Sequence, residues 1–182
     1  RVSRDEGGVT LTSAAGTERF DNVVFACHSD QALALLEAPS VQEREVLGAI
    51  GYASNDVVLH TDTRLLPRRK RAWASWNYRL GGPQQAPAAL TYNMNILQGI
   101  QAATTFCVSL NQTALVDPAQ IIARFQYDHP QYSLAACAAQ ARQAQLQGQR
   151  HSYFCGAYWG NGFHEDGVVS ALKVAAHFGE HL

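Results

Sequence analysis

The chain has 182 residues, of which 47% are hydrophobic and 16% charged, with a formal net charge of −1. That length fits one domain or two small pieces, with enough apolar residues for a core. The near-neutral balance excludes the strongly basic character that nucleic-acid binding uses. No apolar stretch reaches the 18 residues needed to span a membrane.

In chain order, residues 9–12 and 20–25 read as a hairpin with Ala14, Ala15 and Gly16 as its turn. Residues 29–36 predict a helix capped by Ser29 or Asp30. Ser40 and Glu43 form a capping box, with apolar residues at Val46, Leu47 and Ile50, so a second helix runs to Gly51. Residues 56–61, 73–80, 88–95 and 104–110 are rich in β-branched and aromatic residues with turn residues between them. They predict an antiparallel sheet, with Gly81, Gly82 and Pro83 ending its second strand. Residues 121–127 read as a strand or a short helix. Residues 133–149 read as a long Ala/Gln helix with one wet side.

The last thirty residues carry the strongest pattern. Residues 153–155 form a short apolar strand, and Gly156, Gly160 and Gly162 a turn. Glu165, Asp166 and Gly167 then open a helix over residues 168–178. Strand, glycine turn and helix start can bring backbone N–H groups against a phosphate or polyol. A G-x-G-x-x-G fingerprint is absent, because the glycine after Gly160 and Gly162 is Gly167.

Other chemistries find less support. Cys27, Cys107, Cys137 and Cys155 form no C-x-x-C pair; Cys27, Cys107 and Cys155 read as buried small residues, and reduced cysteines favour a cytoplasmic setting. His164 and Glu165 would start a zinc motif, but its second histidine would fall at Val168. No metal is expected. No G-x-S-x-G elbow is present, which leaves serine hydrolysis without a nucleophile. Arg68, Arg69, Lys70 and Arg71 form a basic run, read as a solvated loop tip or as a contact for a lipid headgroup or anionic substrate. Trp76 and Tyr92 either pack in a core or line a substrate cavity.

The segment from Phe154, Cys155 and Gly156 to Asp166, Gly167 and Val168 resembles the C-terminal flavin-contacting motif of the flavin-containing amine oxidase superfamily. Residues 20–33 resemble the superfamily's strand that leaves the flavin domain, and residues 59–62, 73–78, 92–95 and 162–167 extend the likeness to a bacterial NAD/FAD-binding protein branch. Members of that branch often accompany cyclopropane fatty acid synthases. Ala157 stands where many members of the superfamily carry an acidic residue.

The resemblance implies an α+β chain that is the C-terminal part of an FAD-dependent oxidoreductase. Residues 1–28 and 151–182 would return to the FAD-binding domain, and residues 29–150 would form a substrate domain. A dinucleotide-binding segment of the same protein would lie upstream. Gly156, Trp159, Gly162, Phe163, His164, Asp166, Gly167 and Val168 would contact FAD. Trp76 and Tyr92 would face a small-molecule or lipid-like substrate. The flavin carries the chemistry in this class, so no general base is nominated. Two alternatives are a non-catalytic partner of a lipid-modifying system and a flavin-dependent reductase or isomerase.

Overall fold

The computed structural model describes residues 1–80 and 89–181. It divides into two compact units, Arg1–Tyr52 with Pro130–Leu182, and Ala53–His129. The residues on either side of the expected boundaries, 28/29 and 150/151, therefore pack in the same unit. Ala32, Val46 and Leu47, with Ala136, Ala139 and Leu146, share one core with Val2, Val9 and Phe25 of the N-terminal strands.

In the first unit, β1 (Val2–Asp5), β2 (Gly8–Ser13) and β3 (Gly16–Phe20) form an antiparallel meander. Ala14 and Ala15 make its second turn, while Gly16, expected in that turn, pairs with Ser13 as the first residue of β3, at φ +134. The expected strand over 20–25 is split at Asp21 and Asn22. Its second half, β4 (Val23–Phe25), pairs in parallel with β10 (Ser152–Phe154) in a separate sheet. The Phe25 and Phe154 rings stack there at 5.1 Å. That contact gives the two short strands a shared apolar anchor.

Helix α1 (Ser29–Leu35) is capped one residue before the first of its two expected caps. His28 is the N-cap, and its N–H donates to Gln31 Oε1 at 3.2 Å. Ser29 is buried instead, and its N–H donates to Tyr52 Oη at 2.9 Å. In α2 (Val41–Gly48) the capping box is present. The Ser40 N–H donates to Glu43 Oε2 at 2.7 Å, and the Glu43 N–H to Ser40 Oγ at 3.1 Å.

Glu43 also receives the Arg4 guanidinium at 2.5 and 2.9 Å, with both side chains at 2% exposure or less. Arg4 donates further to Ser152 Oγ at 3.0 Å. One buried guanidinium therefore ties β1, α2 and β10 together.

The second unit is a sheet in the order β6-β7-β8-β5-β9. Its strands are β5 (Gly51–His60), β6 (Trp76–Tyr78), β7 (Leu90–Asn93), β8 (Cys107–Leu110) and β9 (Ile121–Gln131). The chain passes between the units within β5 and returns within β9. Pairing is antiparallel from β6 through β7 and β8 to β5. The expected break at Gly81, Gly82 and Pro83 lies outside the described residues. The strand predicted over 88–95 ends at Asn93, whose Oδ1 accepts the Ile96 N–H at 3.2 Å and caps α3 (Met94–Gln98). Gly99, with φ +66, ends that helix.

The long helix expected over 133–149 stops early. Helix α4 (Leu134–Gln140) gives way to 3₁₀ turns at Gln143–Gln145 and Gln149–His151. Gln143 and Gln147 of this run are buried, whereas Gln145 and Gln149 face water. Gln147 is 9% exposed, its Nε2 donates to Phe154 O at 3.0 Å, and its Oε1 accepts the Phe154 N–H at 3.0 Å. A side-chain amide thus completes the backbone pairing of β10, which a regular helix would not have aimed correctly. Helix α5 (His164–Ala175) closes the chain with a 3₁₀ turn, Ala176–Phe178.

Candidate functional site

The glycine turn lies between β10 and α5, and other parts of the first unit fasten it. The Ser170 hydroxyl, one turn past Gly167, accepts the Gly156 N–H at 2.8 Å and lies 3.1 Å from Gly156 O and 2.9 Å from Gly167 O. Gln140 Nε2, from α4, donates to Tyr158 O at 2.9 Å and to Gly160 O at 2.6 Å. Sequence reasoning missed both residues. A serine inside an apolar helix and a glutamine in an Ala/Gln run carry no local signal of a long-range bond.

Asp166 holds the turn from the helix side. Its Oδ2 accepts the Asn161 N–H at 3.0 Å and the Phe163 N–H at 2.9 Å. Asp166 therefore closes its own loop from the third helical position, with Phe163 as N-cap.

The glycines are explained by this internal packing. A Cβ on Gly156 would collide with the Tyr158 ring, one on Gly160 with the Asp166 carboxylate, and one on Gly162 with the Tyr132 hydroxyl. Burial raises the Tyr132 phenol above its ordinary value, and the nearby Asp166 carboxylate adds to that.

The expected contact residues separate into two groups. Gly162, Phe163, His164 and Val168 are exposed, and Gly167 is half-buried beside them. Trp159 is different. The 3₁₀ turn Ala157–Trp159 folds it back into the core with Tyr158, Phe154 and Leu146, at 9% exposure. A tryptophan in a glycine turn was expected to face a ligand, but here its indole fills the interior. Trp159 Nε1 and Tyr158 Oη are buried without a well-formed hydrogen bond. Burial drives the Tyr158 phenol far above its ordinary value.

These residues fit one face of a flavin in part. The His164 and Glu165 N–H groups open a twelve-residue helix and have no intrahelical acceptor. Exposed Phe163, Val168 and Val169 lie on the same surface stretch. The glycine cradle, in contrast, is filled by the chain's own side chains.

The second unit offers another surface. Residues opposite one another in antiparallel strands share a face. On one face lie Val58, His60, Thr91, Asn93, Cys107 and Ser109, all at 1% exposure or less. They are mostly polar and form a chain. The Asp62 N–H donates to His60 Nδ1 at 3.1 Å, so the proton of the neutral ring sits on Nε2. His60 Nε2 then lies 2.9 Å from Ser109 Oγ, which is 2.7 Å from Thr91 Oγ1. Gln112 Nε2 donates to Thr91 Oγ1 at 3.2 Å. Burial pushes the His60 pKa down, with Asp62 partly opposing. The His60–Ser109 pair is not an activated nucleophile, because Nε2 carries the proton and both residues are closed to solvent.

On the opposite face Val57 is buried, Leu59, Leu90, Tyr92, Val108 and Leu110 are half-buried, and Trp76 and Tyr78 are exposed at 51% and 61%. Trp76 and Tyr92, the two substrate-facing candidates, meet edge to face at 5.5 Å. The sheet therefore closes its polar face and leaves its apolar one partly open, most of all at the β6 edge.

Among the described residues no cluster of histidines, cysteines and carboxylates is placed to hold a metal. No described helix is long and apolar enough to cross a membrane.

No family model matches the chain, and no curated protein does. Solved structures do. A CLA-producing fatty acid isomerase from P. acnes superposes with a TM-score of 0.65 at 13% identity, over 98% of this chain and 46% of that one. Cyclohexylamine oxidase from Brevibacterium oxydans gives 0.55 at 14%, over 99% and 48%. A triple mutant of putrescine oxidase gives 0.60 at 9%, over 97% and 47%. The fold is α+β. It is the amine oxidase fold, and the chain spans under half the length of the proteins it matches.

Proposed function

We propose that the chain is part of an FAD-dependent oxidoreductase whose substrate is apolar or lipid-like. The observation that carries the substrate class is the inverted sheet. Opening an apolar face to water is unfavourable at roughly 25 cal/mol per Å², so such a face calls for an occupant. Trp76 and Tyr92 give that face two aromatic walls. None of the residues of that face on β5 to β8 is a carboxylate that would hold an ammonium group.

In this reading the first unit supplies one side of the cofactor site. The helix start at His164 and Glu165 faces the polar linker, and Phe163 and Val168 cover apolar ring surface. Asp166 and Ser170 position that loop rather than touch the cofactor. A dinucleotide-binding segment of the same protein outside these residues completes the site. When bound, the flavin accepts a hydride equivalent from a substrate C–H bond. The chain's own residues orient the substrate and exclude water from it.

The test is anaerobic reduction of the FAD-loaded full-length protein with fatty acyl substrates, phospholipids, aromatic amines and polyamines. Bleaching by acyl compounds, weakened in Tyr92→Ala, is expected. Bleaching by amines alone would return the site to plain amine oxidation. The likeness to a fatty acid isomerase favours a second reading, in which substrate is converted without net flavin reduction. Product formed with no lasting bleaching would select it.

A further inference from the structure

Charge is distributed unevenly along the chain. Between Thr63 and Val116 there is no Asp or Glu, yet Arg64, Arg68, Arg69, Lys70, Arg71 and Arg79 fall there. These are six of the 14 basic residues in a chain whose net charge is −1. Arg64 is neutralised by Asp62, at 2.5 Å. The other five are exposed and make no ion pair among the described residues.

The local fold holds these cations outward. Trp73 Nε1 donates to Pro67 O at 2.8 Å and closes the turn from its inner side. The Ala72 N–H donates to Arg69 O at 2.8 Å and the Trp73 N–H to Lys70 O at 3.1 Å, winding residues 70–72 into a 3₁₀ turn. Lys70 Nζ lies 5.7 Å from the centroid of the Trp73 ring. A solvated tip needs no such indole strut.

The turn leads directly into the edge strand β6. There Trp76 and Tyr78 are exposed, and Leu80 beyond them is 84% exposed. Cations flanked by exposed Trp, Tyr and Leu match the two layers of a bilayer surface. Lys and Arg meet anionic headgroups, and aromatic rings sit at the headgroup level. A purely ionic partner would leave those three apolar side chains without a role.

We propose that the turn at residues 68–71, together with Arg79, Trp76, Tyr78 and Leu80, docks the protein on a bilayer containing anionic phospholipid. Trp76 and Tyr78 also belong to the open apolar sheet face. If the lipid-substrate reading holds, the docking edge and the acyl-binding face are continuous. The docking claim itself requires no flavin and no turnover.

The test is co-sedimentation of the full-length protein with phosphatidylcholine vesicles, with and without phosphatidylglycerol, at low and high salt. Binding should require phosphatidylglycerol and fall with salt. Each neutralised cation should weaken it about fivefold, so R69Q/R71Q should lose about 25-fold with an unchanged thermal midpoint. K173Q, in α5, should bind as the parent does. Leu80→Ser should weaken binding at every salt concentration, which separates insertion from charge alone. Equal binding to both vesicle types, binding to neither, or unchanged binding in R69Q/R71Q would overturn the proposal. So would capture by soluble polyglutamate as strong as capture by vesicles, with Leu80→Ser showing no effect. A lipid that reduces the flavin from detergent in a protein that ignores vesicles would defeat the docking claim and leave the substrate reading standing.

Discussion

In the unit formed by residues 1–52 and 130–182, the closed interior is Val9, Phe25, Leu47, Leu146 and Phe154, crossed by the Arg4–Glu43 pair. In the unit of residues 53–129, the closed face of the sheet carries His60, Thr91, Asn93 and Ser109, while Trp76 and Tyr78 stand in solvent. The first arrangement is what hydrophobic burial produces when a core is free to serve stability. The second gives up that gain on one face. Its buried polar groups are tolerated because they are hydrogen-bonded. Where a sheet inverts its faces, the open apolar side is the place to look for a ligand.

The largest expected effect tests the first interior. Glu43→Ala leaves the Arg4 guanidinium buried without its carboxylate, a loss of about 3–5 kcal/mol. Denaturant unfolding should show it. Arg4→Met with Glu43→Leu should recover much of the loss, because neither charge then remains. A cost below about 1 kcal/mol for Glu43→Ala would mean that the pair is far more hydrated than its exposure indicates.

A pair of tryptophans sharpens the comparison. Trp159→Ala removes an indole from the first core and should cost about 3 kcal/mol or more. Trp76→Ala removes a half-open indole from the second unit and should cost under about 1 kcal/mol, while weakening lipid binding. Thermal midpoints and vesicle binding, measured on both variants, separate the two roles. Equal destabilisation would show that the two aromatic sites do not differ in kind.

Asp166 is expected to act at an intermediate scale. Asp166→Ala frees the Asn161 and Phe163 N–H groups and should cost about 1–2 kcal/mol. Flavin retention should fall with loop order, and Asp166→Asn, which keeps one acceptor oxygen, should restore part of it. Full flavin retention in a folded Asp166→Ala protein would detach this loop from the cofactor.

These contrasts were only partly legible in the sequence. The Ser40–Glu43 capping box, the Ala14–Ala15 turn and the β-rich run from residue 56 to 110 are local signals, and the structure carries each of them. The helix at Met94 was also signalled, by Asn93 and Gly99, but the apolar run before it masked the change of period. Long-range side-chain bonds left no trace. Gln140, Gln147 and Ser170 act on backbone atoms 7 to 20 residues away, and nothing in their neighbours marks them. The glycine turn was legible as a turn, but its meaning was not. Gly156, Gly160 and Gly162 make room for Tyr158, Asp166 and Tyr132, which a sequence cannot distinguish from making room for a phosphate. The face inversion was hidden because Thr91, Asn93 and Ser109 alternate with Leu90, Tyr92 and Leu110, a pattern that ordinarily puts the polar side outside.

The smallest effect concerns the polar interior itself. His60 accepts the Asp62 N–H on Nδ1 and is closed to solvent, so the folded state holds the neutral ring and its pKa lies below the ordinary value. A depressed histidine contributes its full stability above the unfolded-state pKa, near 6.5. As pH falls below that value, the unfolded chain takes up a proton that the folded one refuses. Stability then declines, by at most about 1.4 kcal/mol per pH unit. The decline ends once pH passes the folded pKa, where both states bind the proton. Thermal midpoints at pH 7.5, 6.5 and 5.5 should therefore fall over the lower interval, and His60→Gln should flatten that part of the profile. Long-range ¹H–¹⁵N spectra should assign the proton to Nε2 at neutral pH. A ring that carries its proton on Nδ1, or that titrates at an ordinary pKa, would mean that water reaches the closed face. The contrast between a sealed polar side and an open apolar one would then fail at its centre.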